Sequence, residues 1–421
     1  MAERISAREV GADVFAPGAI DPVSRLEALD ALSDDDASAK ALAAMVAASD
    51  VRRVDVVAWR DLDDPEAGGS ELHAHEVLTR WAAAGVDVRL WTSRVDGAGR
   101  EIRRQGYRVS RRAGRYAVFA RTAFGGFSGQ IGTGDALVEI WNGMPFLSPL
   151  WSRRPRLVFL HHVHAEMWQM VLSPQLARLG SVLEQRLAPP LYRSTPIVTL
   201  SQSSKDEMVE RLGFAPAQVR VAPPGIDPRF SPGAAKEPHP LIVAVGRLVP
   251  VKRFDLLIDA LVRLRAAHPT LRAVIVGEGY ERIALEDRIR AAGAGEWLAL
   301  PGRLDDEALV DLYRRAWLVS STSLREGWGM TLTEAAACGT PAVATRIAGH
   351  CDAVDDGVSG LLVDSVDELV GAAGRVIDDA MLRRRLSLGA ARHAEQFTWG
   401  ATAALTFDAL ADAVGRSRHR R

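Results

Sequence analysis

Short apolar runs alternate with longer amphipathic stretches from about residue 51 onward. The run VRRVDVVAW (51–59) is rich in β-branched residues and predicts a buried strand. A polar loop follows it, and ELHAHEVLTRWAAAG (71–85) has helical spacing and a glycine stop at Gly85. VDVRLWTS (86–93) predicts the next strand. These segments together form one β-loop-α-β unit.

The same order of elements recurs in the second half of the chain. HPLIVAVG (239–246) predicts a strand, RLVPVKR (247–253) a loop, and FDLLIDALVRLRAAHP (254–269) a helix with one apolar face. LRAVIVG (271–277) predicts the strand after it. Strands that alternate with helices form parallel sheets with helices on both faces. The pattern therefore predicts an α/β protein with two Rossmann-like parallel-sheet domains.

A stretch rich in proline and glycine, PPGIDPRFSPGAAKEPHP (223–240), separates the two runs and predicts a linker. Residues before Arg52 lack the strand pattern, and no function follows from them. The expected division is an N-terminal extension (1–50), a first Rossmann-like domain (51–225), a linker (226–240), a second Rossmann-like domain (241–395) and a C-terminal segment (396–421).

Composition is that of an ordinary globular protein, with 48% hydrophobic and 25% charged residues among 421. A net charge of −1 predicts no global attraction to nucleic acid or membrane. Two cysteines, Cys338 and Cys351, give neither a disulfide framework nor a zinc-binding spacing. Because we find no signal-peptide core at the N-terminus and no apolar run of spanning length, we expect a cytoplasmic location.

Ligands of open parallel sheets bind beyond the carboxyl ends of the strands, so loops that follow strands are the places to search. The loop after the strand 241–246 follows Gly246 and carries two cations, Arg247 and Lys252. Two cations at a strand end suit an anion such as a diphosphate, although an ordinary solvated basic loop would have the same sequence.

A second loop has the sequence SLREGWGMTLTEAAACGTP (323–341), with glutamates on both sides of a glycine-rich turn. The helix predicted after the turn starts near Met330 and ends at Gly339. A glycine-preceded helix start attracts phosphate, since its free amides and dipole point there. A carboxylate that faced the phosphate would be repelled, so Glu326 and Glu334 should accept hydrogen bonds from sugar hydroxyls instead. The alternative is a surface Glu326 and a capping Glu334.

Two features of the first half also follow strands. His161, His162 and His164 cluster in FLHHVHAEMWQM (159–170), where they suggest a polar active-site wall with one histidine in the core. Gly68 and Gly69 lie in the first strand-to-helix loop, where glycines allow close backbone approach to a ligand, and a plain turn is the alternative.

These motifs in combination resemble the family 4 glycosyltransferases, which have the GT-B architecture. The resemblance covers about residues 52–400. The C-terminal segment FTWGATAALTFDALADAVG (397–415) is similar to the family's final helix, which crosses back to the first domain. The motifs that carry it are EAGGSELHAHEV (66–77), PPGID (223–227), VGRLVPVKRFDLLIDAL (245–261), IVGEGYE (275–281), STSLREGWGMTLTEAAACGTPAVAT (321–345) and GVSGLLVD (357–364).

The resemblance implies a retaining enzyme that moves a hexose from a nucleotide-diphosphate sugar to an acceptor hydroxyl, with the acceptor domain first and the donor domain second. Carried over, Arg247 and Lys252 hold the diphosphate, Glu326 faces the donor sugar and Glu334 binds the ribose. A family histidine near the sugar corresponds to His162 or His164, between which the sequence does not decide. The remaining donor-binding positions are Gly68, Gly69, Gly246, Gly327, Gly329, Met330 and Thr331.

The implied mechanism is a front-face displacement in which cations stabilise the departing diphosphate, so no metal or other cofactor is required. The expected partners are a nucleotide sugar and a carbohydrate or lipid-linked acceptor, and not nucleic acid. Eight arginines between Arg100 and Arg121 could add peripheral contact with an anionic membrane. A pair of strands with a solvated face is the alternative.

Three other functions fit parts of the sequence. A metal-dependent GT-A transferase would use the D-x-D pattern in DLDD (61–64), which leaves the second β-loop-α-β run unexplained. A nucleotide-sugar epimerase or a non-catalytic nucleotide-sugar binder could use a similar two-domain fold. A dehydrogenase is disfavoured, because we find no G-x-G-x-x-G motif after a strand.

Overall fold

A computed structural model of the chain describes residues 35–131, 134–164, 167–171 and 173–419. The N-terminal segment in which we expected no signal peptide, most of the expected extension and the last two arginines lie outside these residues. The described residues divide into two compact units, the first formed by those within 35–200, 204–225 and 397–419 and the second by 201–203 and 226–396.

Strands and helices alternate through both units, as the apolar pattern predicts. The strands are β1 (Arg53–Val57), β2 (Asp87–Ser93), β3 (Glu101–Arg104), β4 (Tyr107–Ala113), β5 (Ala136–Trp141), β6 (Arg156–Leu160), β7 (Ile197–Thr199), β8 (Val219–Val221), β9 (Leu241–Val245), β10 (Arg272–Val276), β11 (Leu298–Gly302), β12 (Leu318–Ser321), β13 (Ala342–Thr345) and β14 (Gly360–Val363). The α-helices are α1 (Asp35–Ala48), α2 (Gly69–Ala83), α3 (Ala117–Phe127), α4 (Ser148–Trp151), α5 (Met167–Val171), α6 (Pro174–Val182), α7 (Gln202–Leu212), α8 (Phe254–Ala267), α9 (Arg282–Ala291), α10 (Asp306–Arg315), α11 (Met330–Ala337), α12 (His350–Ala353), α13 (Val366–Asp378), α14 (Ala380–Ala394) and α15 (Trp399–His419).

The first unit is built on an eight-stranded sheet with the order β3-β4-β2-β1-β5-β6-β7-β8. Its strand pairs are parallel except for the antiparallel hairpin of β3 and β4. In the centre, Val56 of β1 pairs with Leu90 on one side and Val138 on the other, and all three are buried. These β-branched and aliphatic runs are buried on both faces, as is typical of parallel sheets.

Helices α1, α2 and α15 cover one face of this sheet. Leu42 of α1 and Trp81 of α2 are fully or almost fully buried in the same apolar cluster as Phe407 of α15. The indole Nε1 of Trp81 donates to the carbonyl of Ala403 at 2.9 Å, so a buried polar group of α2 is satisfied by α15. The final helix therefore packs in the first unit, as the resemblance implies.

The second unit is built on a six-stranded, fully parallel sheet with the order β11-β10-β9-β12-β13-β14. Its two faces carry separate apolar clusters, one around α8 and α13 and the other around α10 and α11. Strand order along the chain reverses between β9 and β12. In doubly wound sheets this reversal opens a crevice at the carboxyl ends of the two strands. The predicted fold class, two Rossmann-like parallel-sheet domains with a returning C-terminal helix, is confirmed.

Candidate functional site

The candidate site of the second unit lies where β9 and β12 end side by side. The pairing of Val243 with Val319 places the two strands next to each other in parallel register, so their following loops leave the same edge of the sheet. The loop after β9 contains the predicted cations, and the loop after β12 contains the predicted glutamates. The two motifs that the sequence singled out separately therefore share one sheet edge.

The loop after β9 is fixed by a close crossing with the loop after β10. The Gly246 amide donates to the Val276 carbonyl at 3.0 Å, and the Leu248 amide donates to the Glu278 carbonyl at 2.8 Å. Gly277 has φ +150°, and a Cβ there would lie 1.9 Å from the Gly246 carbonyl oxygen. Glycine is thus required at Gly277, and the crossing holds the backbone that precedes Arg247.

Arg247 and Lys252 differ in their surroundings. The Arg247 side chain is exposed, and among the described residues we find no ion pair or hydrogen bond for it. The Lys252 ammonium donates to Oε1 of Glu326, and both side chains are only 19% exposed. The sequence analysis assigned Lys252 to the diphosphate and Glu326 to the donor sugar. It did not predict that the two side chains pair with each other.

The Glu326 carboxylate is ionised and held in place. Burial by itself would raise the pKa of this carboxyl, but the Lys252 ammonium, the nearby His350 and a hydrogen bond from Ser323 lower the pKa to about 2. The Ser323 hydroxyl lies 2.9 Å from the Glu326 carboxylate that it donates to. A carboxylate with this pKa is an acceptor at every physiological pH, as recognition of sugar hydroxyls requires.

Residues packed behind the glycine turn fix its position. The Thr322 hydroxyl donates to the Arg253 carbonyl at 2.8 Å and ties the loop after β12 to the loop after β9. A Cβ on Gly349, which has φ +84°, would lie 2.7 Å from both the Glu326 carbonyl oxygen and the Trp328 amide nitrogen. Loop 322–329 therefore packs directly against the backbone of Gly349, where a larger residue would not fit.

Helix α11 starts at Met330, as the sequence predicts, and ends at Ala337, two residues before the predicted end at Gly339. Gly329 precedes it with φ +135° and no side chain caps its first turn. The Leu332 amide donates to the Gly329 carbonyl at 2.9 Å and makes the first backbone hydrogen bond of the helix. Gly329 and the amides of Met330 and Thr331 thus form an uncapped helix start, two residues after Gly327, which is a ready site for an anion.

Glu334 lies in the middle of α11 in an environment opposite to that of Glu326. Burial raises the pKa of this carboxyl to about 8, although the hydroxyl of Tyr313 donates to it at 3.3 Å and partly offsets the effect. Without a ligand the Glu334 side chain is therefore mostly protonated at neutral pH. The glutamate does not cap α11, so the capping alternative for Glu334 is wrong.

In the first unit, strand order reverses between β1 and β5, and Gly68 and Gly69 follow β1 at that edge. The Gly68 amide donates to the Glu71 carboxylate at 2.8 Å, so α2 is capped by its own third residue. The Glu71 carboxylate is buried and pairs with Arg60 at 3.3 Å. This helix start is already occupied by an anionic side chain.

The three histidines after β6 separate into two groups. His161 is buried, and its Nε2 lies 3.2 Å from Nδ1 of buried His73, so it is the core histidine that the sequence anticipated. The rings of His162 and His164 stack with centroids 4.7 Å apart. The His164 amide donates to the Glu184 carboxylate at 2.9 Å, and the indole of Trp168 donates to the same carboxylate at 2.8 Å. Nothing in the sequence indicated that Glu184 would hold His164 and Trp168 in place.

The acids of the D-x-D pattern are bound by arginines. Asp61 is buried and accepts hydrogen bonds from Arg111 at 2.7 and 3.0 Å. Asp63 pairs with Arg104 at 2.6 Å and also with Arg111. Within the described ranges, we find no cluster of three or more histidine, cysteine, aspartate or glutamate residues that could hold a metal ion.

The arginine-rich segment is the hairpin of β3 and β4 with the start of α3. Besides Arg104 and Arg111, Arg108 pairs with Asp87 at 2.8 Å, and Arg112 pairs with Glu101 at 2.7 Å. Much of its positive charge is thus balanced within the first unit. Of the helices in the described residues, none is both long and apolar enough to cross a membrane.

Two α/β units, each with a parallel sheet and a strand-order reversal, agree with the GT-B architecture of glycosyltransferases. Two family models match adjoining parts of the chain. Glycosyltransferase Family 4 matches residues 67–230, and Glycosyl transferases group 1 matches residues 227–393. The chain belongs to the family 4 glycosyltransferases.

Individual proteins agree with this assignment. A D-inositol 3-phosphate glycosyltransferase from Stackebrandtia nassauensis is 35% identical over an alignment of 244 positions, which covers 53% of this chain and 55% of the relative. The chain thus spans about half the length of the first relatives that it matches.

Solved structures share the fold. Sucrose-phosphate synthase from Thermosynechococcus elongatus superposes with a TM-score of 0.70 at 20% identity, covering 84% of this chain and 96% of the other. Anabaena Alr3699/HepE in complex with UDP-glucose superposes with a TM-score of 0.64 at 18% identity, covering 88% and 100%.

Proposed function

We propose that this chain is a retaining hexosyltransferase that moves a hexose from a nucleotide-diphosphate sugar to an acceptor hydroxyl. The observation that carries the proposal is the meeting of three features at the reversal between β9 and β12. These are the exposed guanidinium of Arg247, the Lys252–Glu326 pair and the uncapped start of α11. Positive charge and free amides at one sheet edge suit a diphosphate flanked by hydroxyl groups.

Each residue then has one task in the reaction. Arg247 and Lys252 bind the diphosphate and offset the charge that develops on it as the sugar departs. The ionised carboxylate of Glu326 accepts hydrogen bonds from the sugar, and Glu334 binds the ribose hydroxyls. The departing diphosphate accepts the proton of the acceptor hydroxyl on the face it leaves, so configuration at the anomeric carbon is retained.

The donor and acceptor classes are proposals that guide the choice of probes. Anabaena HepE was solved in complex with UDP-glucose, so UDP-glucose is the first donor to test. The relatives are named D-inositol 3-phosphate glycosyltransferases, so a phosphorylated cyclic polyol is the first acceptor to test. Simple sugars and lipid-linked sugars follow as the other acceptor classes.

Thermal shift with UDP, ADP and GDP, followed by turnover with the matching sugar nucleotides, tests the function. We expect one nucleotide to raise the melting temperature, and NMR of the product should show the donor's anomeric configuration. Conversion of donor without acceptor would indicate an epimerase. Tight binding with neither transfer nor hydrolysis would indicate a binding protein, and inverted configuration would overturn the mechanism.

A paired substitution tests the site itself. Arg247→Ala removes an exposed guanidinium at the carboxyl end of β9, whereas Arg272→Ala removes one at the opposite end of β10. We expect only the first to weaken nucleotide-sugar binding. Equal effects of the two changes would show that the diphosphate lies elsewhere.

We further propose that transfer requires no metal, because cationic side chains and helix amides supply the charge that the leaving group needs. The D-x-D acids are held by Arg104 and Arg111, which supports the proposal. Activity should survive EDTA. A loss that Mn²⁺ restores would contradict the proposal.

The first unit contributes the acceptor side of this proposal. We propose that His162 or His164 serves the donor sugar. Of the two roles that the resemblance allows for Gly68 and Gly69, the donor phosphate or the acceptor, we propose the acceptor, because the Glu71 carboxylate already occupies the start of α2. His162→Ala and His164→Ala, compared in turnover under saturating donor, identify the histidine. A cytoplasmic location and peripheral contact with anionic membrane also remain proposals.

A further inference from the structure

A buried histidine packs against the glycine turn of the candidate site. His350 is the first residue of α12 and is only 1% exposed. A Cβ on Gly329, the residue before α11, would lie 3.2 Å from the Cδ2 atom of the His350 ring. The ring therefore fills the space beside the backbone from which α11 starts. The transfer proposed above gives this side chain no task.

The imidazole of His350 is held in one tautomer. Its Nδ1 atom lies 2.8 Å from the Thr345 carbonyl oxygen, which only accepts hydrogen bonds, so Nδ1 carries the proton. Burial lowers the pKa of His350, and this effect outweighs the Glu326 carboxylate and the Thr345 carbonyl, which raise the pKa. The Lys252 ammonium also lowers the pKa. The ring is therefore neutral at neutral pH, and its Nε2 atom is an acceptor.

Two serines connect this Nε2 atom with the Glu326 carboxylate. Nε2 lies 3.4 Å from Oγ of Ser321, which in turn lies 3.1 Å from Oγ of Ser323. The Ser323 hydroxyl donates to Glu326 at 2.9 Å. The Thr345 hydroxyl donates to the Ser323 carbonyl at 2.8 Å, so the residue that fixes the imidazole also fixes the backbone of Ser323. His350 thus lies at the far end of a hydrogen-bonded row that ends on Glu326.

This row decides which oxygen of Glu326 is left for a ligand. The Lys252 ammonium and the Ser323 hydroxyl both donate to Oε1, which leaves Oε2 as the oxygen that can accept from a sugar hydroxyl. One donor alone would let the carboxylate rotate about it. If an apolar side chain replaced the imidazole, the Ser321 hydroxyl would lose the acceptor that fixes its rotamer, and Ser321 would compete with Glu326 for the Ser323 proton.

We propose that His350 is a positioning residue for transfer, whose neutral imidazole holds the two serines in the arrangement that turns Oε2 of Glu326 toward the donor sugar. This role rests on the proposed function, in which Glu326 accepts hydrogen bonds from the sugar and the start of α11 binds the diphosphate. The imidazole should therefore matter for the sugar half of the donor and much less for the nucleoside diphosphate alone.

Nitrogen-15 NMR of the imidazole rings tests the hydrogen bonding without any ligand. Long-range proton–nitrogen spectra distinguish the two neutral tautomers, and the His350 signals are those that disappear in His350→Asn. We expect the proton on Nδ1 at neutral pH. A proton on Nε2 would overturn the proposal, because Nε2 could then not accept from Ser321.

Two substitutions separate the two sides of the ring. The amide of glutamine can occupy the position of Nε2 and accept from Ser321, whereas the amide of asparagine reaches only the position of Nδ1. With UDP-glucose as donor, His350→Asn should lower turnover ~10-fold, the scale of one hydrogen bond to a charged group, and His350→Gln should restore most of it. The affinity for UDP, measured by calorimetry, should stay within about twofold in both variants. If thermal shift selects ADP or GDP, that nucleotide and its glucose conjugate take the place of this pair.

A control and a second variant complete the test. His268→Asn changes a histidine that lies before β10, at the opposite end of the sheet, and that pairs with Asp378 at 3.6 Å. It should change neither turnover nor UDP binding. Ser321→Ala removes the contact with Nε2 from the other partner and should lower turnover as His350→Asn does, so the test holds even if His350→Asn does not fold.

The outcomes separate this role from the proposed function. Turnover of His350→Asn close to that of the unchanged chain, or His350→Gln as slow as His350→Asn, would overturn the role of His350. Equal losses of UDP binding and of turnover would also overturn it, because the ring would then only support the start of α11. Failure of the unchanged chain to bind any of UDP, ADP and GDP would instead overturn the proposed function and, with it, the role that rests on it.

Discussion

Replacing Lys252 by methionine isolates the contribution of one charge to the candidate site. Methionine keeps most of the length of the side chain but removes the ammonium that donates to Glu326. The Glu326 carboxylate then keeps its burial and its hydrogen bond from Ser323 at 2.9 Å, yet has lost its cation. A partly buried carboxylate without a cation is costly, so the change should destabilise the protein as well as impair transfer.

The magnitude follows from the pKa of Glu326. The pair and its neighbours lower this pKa from 4.5 to about 2, and ~2.5 pKa units correspond to about 3 kcal/mol. A Coulomb estimate for two charges at ~4 Å with an effective dielectric of ~20 gives about 4 kcal/mol before desolvation. Because both side chains are only 19% exposed, solvent screens the pair weakly. We expect a loss of roughly 2–3 kcal/mol in the free energy of unfolding at pH 7.

The loss should depend on pH in a defined direction. In the unchanged protein the folded-state pKa of Glu326 is below the unfolded value of 4.5, so the carboxylate adds stability above pH 4.5 that is lost as pH falls toward 2. Without Lys252, burial raises the folded-state pKa above 4.5, and the carboxylate costs stability at neutral pH. The difference between the two proteins should therefore shrink as pH falls from 7 to about 3.

Urea unfolding at several pH values, followed by tryptophan fluorescence, measures this difference. Arg263→Met is the control, since Arg263 pairs with Asp367 on the surface with side chains 51% and 83% exposed. That change should cost less than about 1 kcal/mol at every pH. Turnover of Lys252→Met should fall by ~100-fold or more. A stability loss independent of pH would contradict the role of Lys252 as the cation that stabilises Glu326, and turnover close to normal would refute the assignment of Lys252 to the diphosphate.

Three further predictions address neighbouring positions. The pKa of Glu334 is raised to about 8, so its protonated form favours the folded state. The free energy of unfolding should therefore fall as pH rises from about 4.5 to 8. Glu334→Gln should flatten that fall in melting curves recorded at several pH values, and it should weaken nucleotide binding. Gly277→Ala should cost roughly 1–3 kcal/mol in urea unfolding, whereas Gly295→Ala, which meets open space, should be close to neutral. Arg247→Ala should raise the donor KM more than Arg272→Ala, and equal KM values would remove Arg247 from the site.

Much of the fold could be predicted because the units repeat a strong local pattern. β-Branched runs such as VRRVDVVAW and LRAVIVG are buried on both faces, so period and composition both indicate a parallel sheet. The start of α11 at Met330 was predictable, since Gly329 supplies a positive φ that other residues rarely adopt. Short helices such as α4, with four residues, carry too little periodicity to be predicted.

The internal electrostatics of the site could not be predicted from the sequence. Lys252 and Glu326 are 74 positions apart, and their pairing results from β9 and β12 being neighbours in the sheet. The opposite pKa shifts of Glu326 and Glu334 follow from which residues surround each carboxyl after folding. Glu184, which binds the His164 amide and the Trp168 indole, likewise has no local signal because both partners lie in an earlier part of the chain.

The structure distinguishes two glycine-preceded helix starts that look equivalent in sequence. The start of α2 is capped by its own Glu71, so a phosphate there would have to displace a buried carboxylate that also pairs with Arg60. The start of α11 has no side-chain cap, and the carboxylate that precedes it, Glu326, is neutralised by Lys252. Negative charge is thus unfavourable at the first site and favourable at the second. An anionic donor group should therefore bind at α11, and α2 is better suited to a neutral, hydroxyl-bearing part of the substrates.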